Sequence, residues 1–217
     1  MWNSWRDVLG GMMSERQYLE HRVVQKNKDV ITMCKPISNI RNMDASQLLS
    51  YCGQTDKIPV NLREMLMKLQ IACHPLDFSS ISSGNENKYD GSLGALITNG
   101  DKAAIFYRKD DQPNGHRYRF TIAHELAHCC LAHYDVEKNS IHLALRQDGT
   151  TNDPKEIAAN IFAGELLIPK DSLVKTIREL LLPSVKILAD IFAVSSNVML
   201  ARLEYLKICD NIVGYNC

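Results

Sequence analysis

Most of the chemistry legible in this chain sits in five residues, His124-Glu125-Leu126-Ala127-His128. On a helix, side chains four apart share a face, so the two imidazoles can aim at one point. Glu125 follows the first of them and can hold a carboxylate against a water at that point. Two imidazoles and a neighbouring carboxylate are the ligands and proton acceptor with which a zinc ion splits a peptide bond. The structural alternative is a surface helix with two satisfied histidines. The neighbours speak against it: Phe120-Thr121-Ile122-Ala123 before the motif and Leu131-Ala132 after it belong to a buried helix.

Two histidines do not complete a catalytic zinc site, which takes three protein ligands and one open position. A third histidine in the pattern H-E-x-x-H-x-x-G-x-x-H is excluded, because Leu131 and Tyr134 occupy the glycine and histidine positions. His133 misses by one residue, and on a helix continuing to Tyr134 it points away from the motif face. His133 and His142 are therefore expected at the surface or behind the ligands. The remaining source is a carboxylate from a later helix. Glu156 and Glu165 both qualify, but nine residues apart they lie on opposite faces, so only one can reach the metal. Glu156 has a competing use, closing a capping box with Asp153. Glu165 lies among Phe162, Leu166 and Leu167 and would need its own partner. The residue pattern leans to Glu156 and leaves Glu165 open. Asn160, one turn after Glu156, shares its face and is placed to hydrogen-bond near the site.

The elements that must position these groups follow from periodicity. Val60, Leu62, Met65, Leu66 and Leu69 recur at helical spacing behind Asn61, a good N-cap. Residues 79–94 turn to Ser, Gly, Asn and Asp, a loop composition. Ala95-Leu96-Ile97-Thr98 and Lys102 to Tyr107 flank Asn99-Gly100, which predicts a β-hairpin with both turn residues at positive φ. The motif helix is expected to start between Arg117 and Thr121 and to run to about Tyr134. Residues 135–153 read as loop, with one short element from Ile141 to Leu145. Asp153 caps a helix with Pro154 at its first position, ending at Pro169. Further helices follow over 171–182, 184–193 and 196–207. Before Asn61, Trp2, Trp5, Val8 and Leu9, then Arg16 to Val24, then Asp44 to Tyr51, suggest weak helices without chemistry.

Bulk properties narrow the class. The chain has 217 residues, with 25 basic and 25 acidic side chains and a formal net charge of zero. No electrostatic argument for nucleic acid or a membrane surface follows. No apolar run approaches the ~20 residues of a membrane span. Arg6 and Asp7 stand where a signal peptide needs apolar residues, so a cytoplasmic location is expected. The seven cysteines are odd in number and form no C-x-x-C pair. Reduced thiols are expected, with Cys129 and Cys130 as apolar packers rather than ligands.

At this point the residues resemble a known family. R-x-R-F-T-I-A-H-E-L-A-H (Arg117 to His128) and E-x-x-A-N-x-F-A-x-E-L-L-I-P (Glu156 to Pro169) are similar to the two signatures of the ImmA/IrrE family of bacterial and phage zinc peptidases. L-A-x-x-F-x-V-S-x-x-x-M-x-x-R-L (Leu188 to Leu203) and Ile58-Pro59-Val60 before a helix fit as well, so the resemblance covers about residues 58–208. Departures are mild: Ala127 stands where Gly is usual and Ile168 where Met is usual. The resemblance implies Zn²⁺ held by His124, His128 and Glu156. It implies a gluzincin-like fold and a substrate that is a helix-turn-helix repressor of a phage, mobile element or stress response.

The expectations are then specific. The fold is α+β and zincin-like: a small antiparallel sheet or hairpin packed on the active-site helix, with a C-terminal helical bundle. Residues 1–57 form a helical extension, and residues 58–217 the peptidase domain, including helices over 171–208. Glu125 is the general base. Tyr118, Tyr134, His133 and His142 are the candidates for an oxyanion donor or supporting residue. Substrate adds as a strand beside the 95–107 hairpin. The competing reading is a non-proteolytic regulator that keeps a zinc site and docks a repressor or binds DNA through the Pro183 to Lys207 helix pair. Direct nucleic-acid binding is not expected, because the second helix of that pair offers only Arg202 and Lys207 as cations.

Overall fold

The computed structural model describes residues 27, 29–78, 92–111, 115–134, 141–147, 152–209 and 212–213, and for 92 and 141–147 the backbone only. The expected helices around Trp2 and Arg16, and most of the loops over 79–94 and 135–153, lie outside the described residues.

A 3-10 turn at Ser38–Ile40 leads into α1 (Ala45–Cys52). Asp44 and Gln47 close a capping box at its start, and Gly53 ends it in the left-handed region. Helix α2 (Leu62–Leu69) starts where Asn61 accepts the Glu64 N–H, and it buries Leu62, Met65, Leu66 and Leu69. Four strands follow the order β1-β3-β2-β4 in one sheet: β1 (Ala72–Leu76), β2 (Ser92–Asn99), β3 (Lys102–Arg108) and β4 (Ile141–Gln147).

The sheet differs from the expectation in two ways. It is mixed, because β1 runs parallel to β3 while β2 is antiparallel to β3 and β4. The hairpin is also interior rather than marginal: β1 covers the outer side of β3 and β4 the outer side of β2. A peptide therefore cannot add beside β2 or β3. Strand β1 was hidden by Pro75, a poor strand residue confined to sheet edges, which is where β1 lies. The hairpin turn is also shifted. Asn99 pairs with Lys102, leaving Gly100 and Asp101 as the two central residues. Among the described residues only Gly100 of that turn has positive φ, at 60°. A glycine at the first central position is the alternative solution for a two-residue hairpin.

Side chains alternate across the hairpin, as strand geometry requires. Leu96, Ala103 and Ile105 belong to the main core with the motif helix α3 (His116–Cys130), while Ala95, Ile97, Ala104 and Phe106 pack with Ile31, Cys34 and Phe78 on the other face. Both faces are buried, which is why these strands read as continuous apolar runs.

Helix α4 (Pro154–Leu167) lies against α3, and α5 (Lys170–Glu179), α6 (Val185–Phe192) and α7 (Ser196–Leu206) complete the C-terminal bundle. The class is thus α+β and zincin-like. Ala45, Leu48, Leu49 and Cys52 of α1 share the main core cluster with α3 and α4. Two buried arginines tie the layers. Arg119 donates to the carbonyls of Ala193 and Val60, each at 2.9 Å. Arg202 donates to the Ile168 carbonyl at the end of α4, at 3.2 Å.

Cys34, Cys52, Cys73, Cys129 and Cys130 are free thiols, as expected. Cys209 departs from that expectation and is disulfide-bonded. No helix among the described residues is long and apolar enough to cross a membrane.

Candidate metal centre and active site

Helix α3 is placed before its ligands are reached. Arg117 pairs with buried Asp111 just upstream, and Arg119 is anchored to α6 and to the segment before α2. From Thr121 to Cys130 every residue is buried. The four-residue spacing puts the His124 and His128 rings on one face, edge to face, with their Nε2 atoms 3.0 Å apart.

Glu156 meets both imidazoles. Its Oε2 lies 3.0 Å from His124 Nε2 and its Oε1 3.2 Å from His128 Nε2. The competing capping box does not form: Asp153 accepts the Lys155 N–H at 2.9 Å, and Glu156 turns to the histidines instead. Glu165, the alternative, lies 3.7 Å from Arg202 and partners α7. Among the described residues, His124, His128 and Glu156 are the one group of three that could hold a metal ion.

The donor set fits zinc. A tetrahedral ion with bonds of about 2.0–2.2 Å leaves neighbouring ligand atoms about 3.3–3.6 Å apart, a few tenths of an ångström wider than the separations seen. The imidazole hydrogen bonds, from His124 first and then His128, hold the Glu156 carboxyl well below the usual carboxylate range. It is therefore an anion at neutral pH, as a ligand must be. The His124 and His128 side chains are 0% and 5% exposed, and that of Glu156 is 26% exposed. The centre is closed on the α3 side and opens past Glu156, where the fourth position of a catalytic site would face substrate.

Supporting contacts come from outside α3. His124 Nδ1 lies 2.9 Å from Asn160 Oδ1. An amide oxygen can only accept, so His124 carries a proton on Nδ1, and with a cation bound at the centre its Nε2 is left to ligate through the lone pair. The expected place of Asn160 near the site is where it is found. Glu125 is buried, with its Oε1 3.1 Å from the point where a Cβ on Gly94 of β2 would stand.

The other candidates fare differently. Tyr118 sits edge-on to Tyr107, with its hydroxyl 4.0 Å from Cys73 Sγ. Burial and Cys73 raise its pKa, so it stays a neutral phenol. Tyr134 is buried in the core beneath Arg41, and burial pushes its hydroxyl up to about 12. Neither has a described hydrogen bond to the three ligands. His142 lies on β4, where only the backbone is described. His133 takes one of its two expected places, behind a ligand, but by a route that corrects the expected helix end and the direction in which it points. The helix ends at Cys130 rather than near Tyr134, and the chain doubles back to bring His133 Nδ1 to 3.1 Å from His128 Nδ1. Burial, with the neighbouring His128 second, lowers the His133 pKa. The Cys130 thiol is pushed up to about 12 by burial, consistent with an apolar packer.

Arg119, Arg202 and Gly94 had no sequence signal for their roles. Arg119 and Arg202 fall inside the recognised motifs, but which carbonyls they reach depends on packing between segments 34 to 74 residues apart.

Two histidines from one helix and a glutamate from the next, in a zincin-like fold, form a candidate metal centre of the kind that fits a metallopeptidase. Residues 89–204, more than half of the chain, match the M78 peptidase family, described as the IrrE N-terminal-like domain, and the chain belongs to that family. At the family level it is a zinc-dependent protease. No curated protein matches it.

Proposed function

We propose that this protein is a zinc-dependent endopeptidase that cleaves one regulatory protein, a helix-turn-helix repressor, at a specific site. The observation that carries the catalytic part is the convergence of His124, His128 and Glu156, with Glu125 buried on the same helix. The substrate class rests on the family resemblance.

His124, His128 and Glu156 would hold the ion. When bound, zinc supplies Lewis acidity toward the scissile carbonyl and brings the pKa of water toward ~7. Asn160 keeps the His124 ring in the ligating tautomer. Glu125 accepts the proton of the attacking water and returns it to the leaving amine. The substrate runs along the outer edge of β4. Gly94, the residue beside Glu125, pairs with Arg146 of β4, and β2 and β3 have neighbours on both sides.

The test is Glu125→Gln. The variant should keep one zinc per chain and lose cleavage of a helix-turn-helix repressor substrate by about 10²–10⁴-fold. Undiminished cleavage would refute Glu125 as the base. Undiminished repressor inactivation in cells would favour the non-proteolytic regulator. That second reading draws on the α6–α7 pair. It is weakened by Arg202, which is buried against Ile168 and Glu165 and so lost to phosphate contacts.

A further inference from the structure

We propose that His133 is a positioning residue for His128, carried to its ligand by the C-terminal cap of α3. The inference rests on the reading of His128 as a metal ligand.

After Cys130 the chain passes through Leu131 and then Ala132, whose φ is 53°. The Ala132 N–H bonds the Cys129 carbonyl at 3.4 Å, and the His133 N–H bonds the His128 carbonyl at 3.1 Å. These are the two hydrogen bonds of a Schellman cap. The cap folds the residue after the left-handed position back over the third residue from the helix end. That contact is ordinarily apolar. In this chain it joins two imidazoles, with ring centroids 5.1 Å apart and Nδ1 atoms at 3.1 Å. The cap is built although an alanine is strained at positive φ, where glycine is the usual occupant.

The proton can be assigned. His128 Nε2 faces His124 and Glu156 and must present its lone pair to a cation there. The His128 proton is then on Nδ1, which donates to His133 Nδ1, and His133 carries its own proton on Nε2. Asn160 does the same for His124 from α4. Each ligating ring is therefore fixed by an acceptor behind it. A histidine in that place is a departure from the usual carboxylate or backbone carbonyl.

Two substitutions separate this role from packing. His133→Leu keeps bulk and removes the acceptor; His133→Asn puts an amide oxygen where Nδ1 stands. Zinc affinity is read by competition with a chromogenic chelator, with Zn²⁺ as the only ligand, alongside the melting temperature of the metal-free forms. The expected result is a 10–100-fold loss for His133→Leu, affinity within a few-fold of wild type for His133→Asn, and similar metal-free melting for both. Equal affinity of His133→Leu and wild type overturns the proposal. So does an equal loss in both variants, which would make the contact one of shape. If His128→Ala binds zinc as tightly as wild type, the ligand reading fails, and the proposal with it.

Discussion

Glu125 has room for its carboxylate because residue 94 carries no side chain. A Cβ there would stand 2.3 Å from Thr121 Cγ2 and 3.1 Å from Glu125 Oε1. Thr121 is β-branched and buried on α3, so it has little room to give way. Gly94→Ala should leave zinc stoichiometry unchanged and lower turnover by about 10²-fold, since small displacements of a catalytic group are costly. Wild-type turnover in the alanine variant would show that Glu125 tolerates the shift. Glu156 makes a pH prediction. Its folded pKa is depressed, so its stabilisation is complete above the ordinary carboxylate value of about 4.3 and is lost as pH falls below it. In chelator, urea unfolding of Glu156→Gln should show a flatter acid limb than wild type below pH ~4.5; superimposable limbs would contradict the depressed carboxyl. His124 and His128 were legible in the sequence because spacing along a helix is fixed geometry; Glu156 sits on another helix, and the residue pattern alone left Glu165 open beside it. Gly94 was not legible, because its contact joins a strand to a helix far along the chain.

Helices were read nearly to their ends, because caps such as Asn61 and Asp153 act within a turn of the residue that carries them. The errors share one cause, which is that neighbours in space override local signals. Helix α3 was expected to continue through Leu131 and Ala132, two good helix formers, yet the Schellman cap stops it at Cys130 and turns His133 inward. The hairpin was found, but its interior place depended on β1 and β4, whose partners the sequence does not announce. Arg119 shows what holds such elements together. Replacing it by Met removes two charge-assisted bonds and strands the Val60 and Ala193 carbonyls. A loss of about 2–4 kcal/mol is expected in denaturant unfolding. A change under about 0.5 kcal/mol would mean that water replaces the guanidinium without cost.

At the scale of the molecule, the ion would join α3 to α4, two helices separated in sequence by a strand and its loops. Zinc should therefore act on folding as well as on chemistry. At free zinc about 100 times its Kd the native state gains about 2.7 kcal/mol, or roughly 5–10 °C in Tm for a chain of this size. Glu156→Ala should lose most of that rise, and an undiminished rise would place the bound zinc elsewhere.

The arrangement of the sheet has a consequence for how copies of this protein meet. A protein that accepts a peptide as an added strand risks accepting its own kind. Open-ended stacking needs two receptive margins on every copy. The β1 margin is blunted by Pro75, and β2 and β3 are enclosed. Among the described strands β4 is the other outer strand, so on the proposed reading edge-to-edge association would close at a pair and cover the edge proposed for substrate, rather than propagate into a fibre.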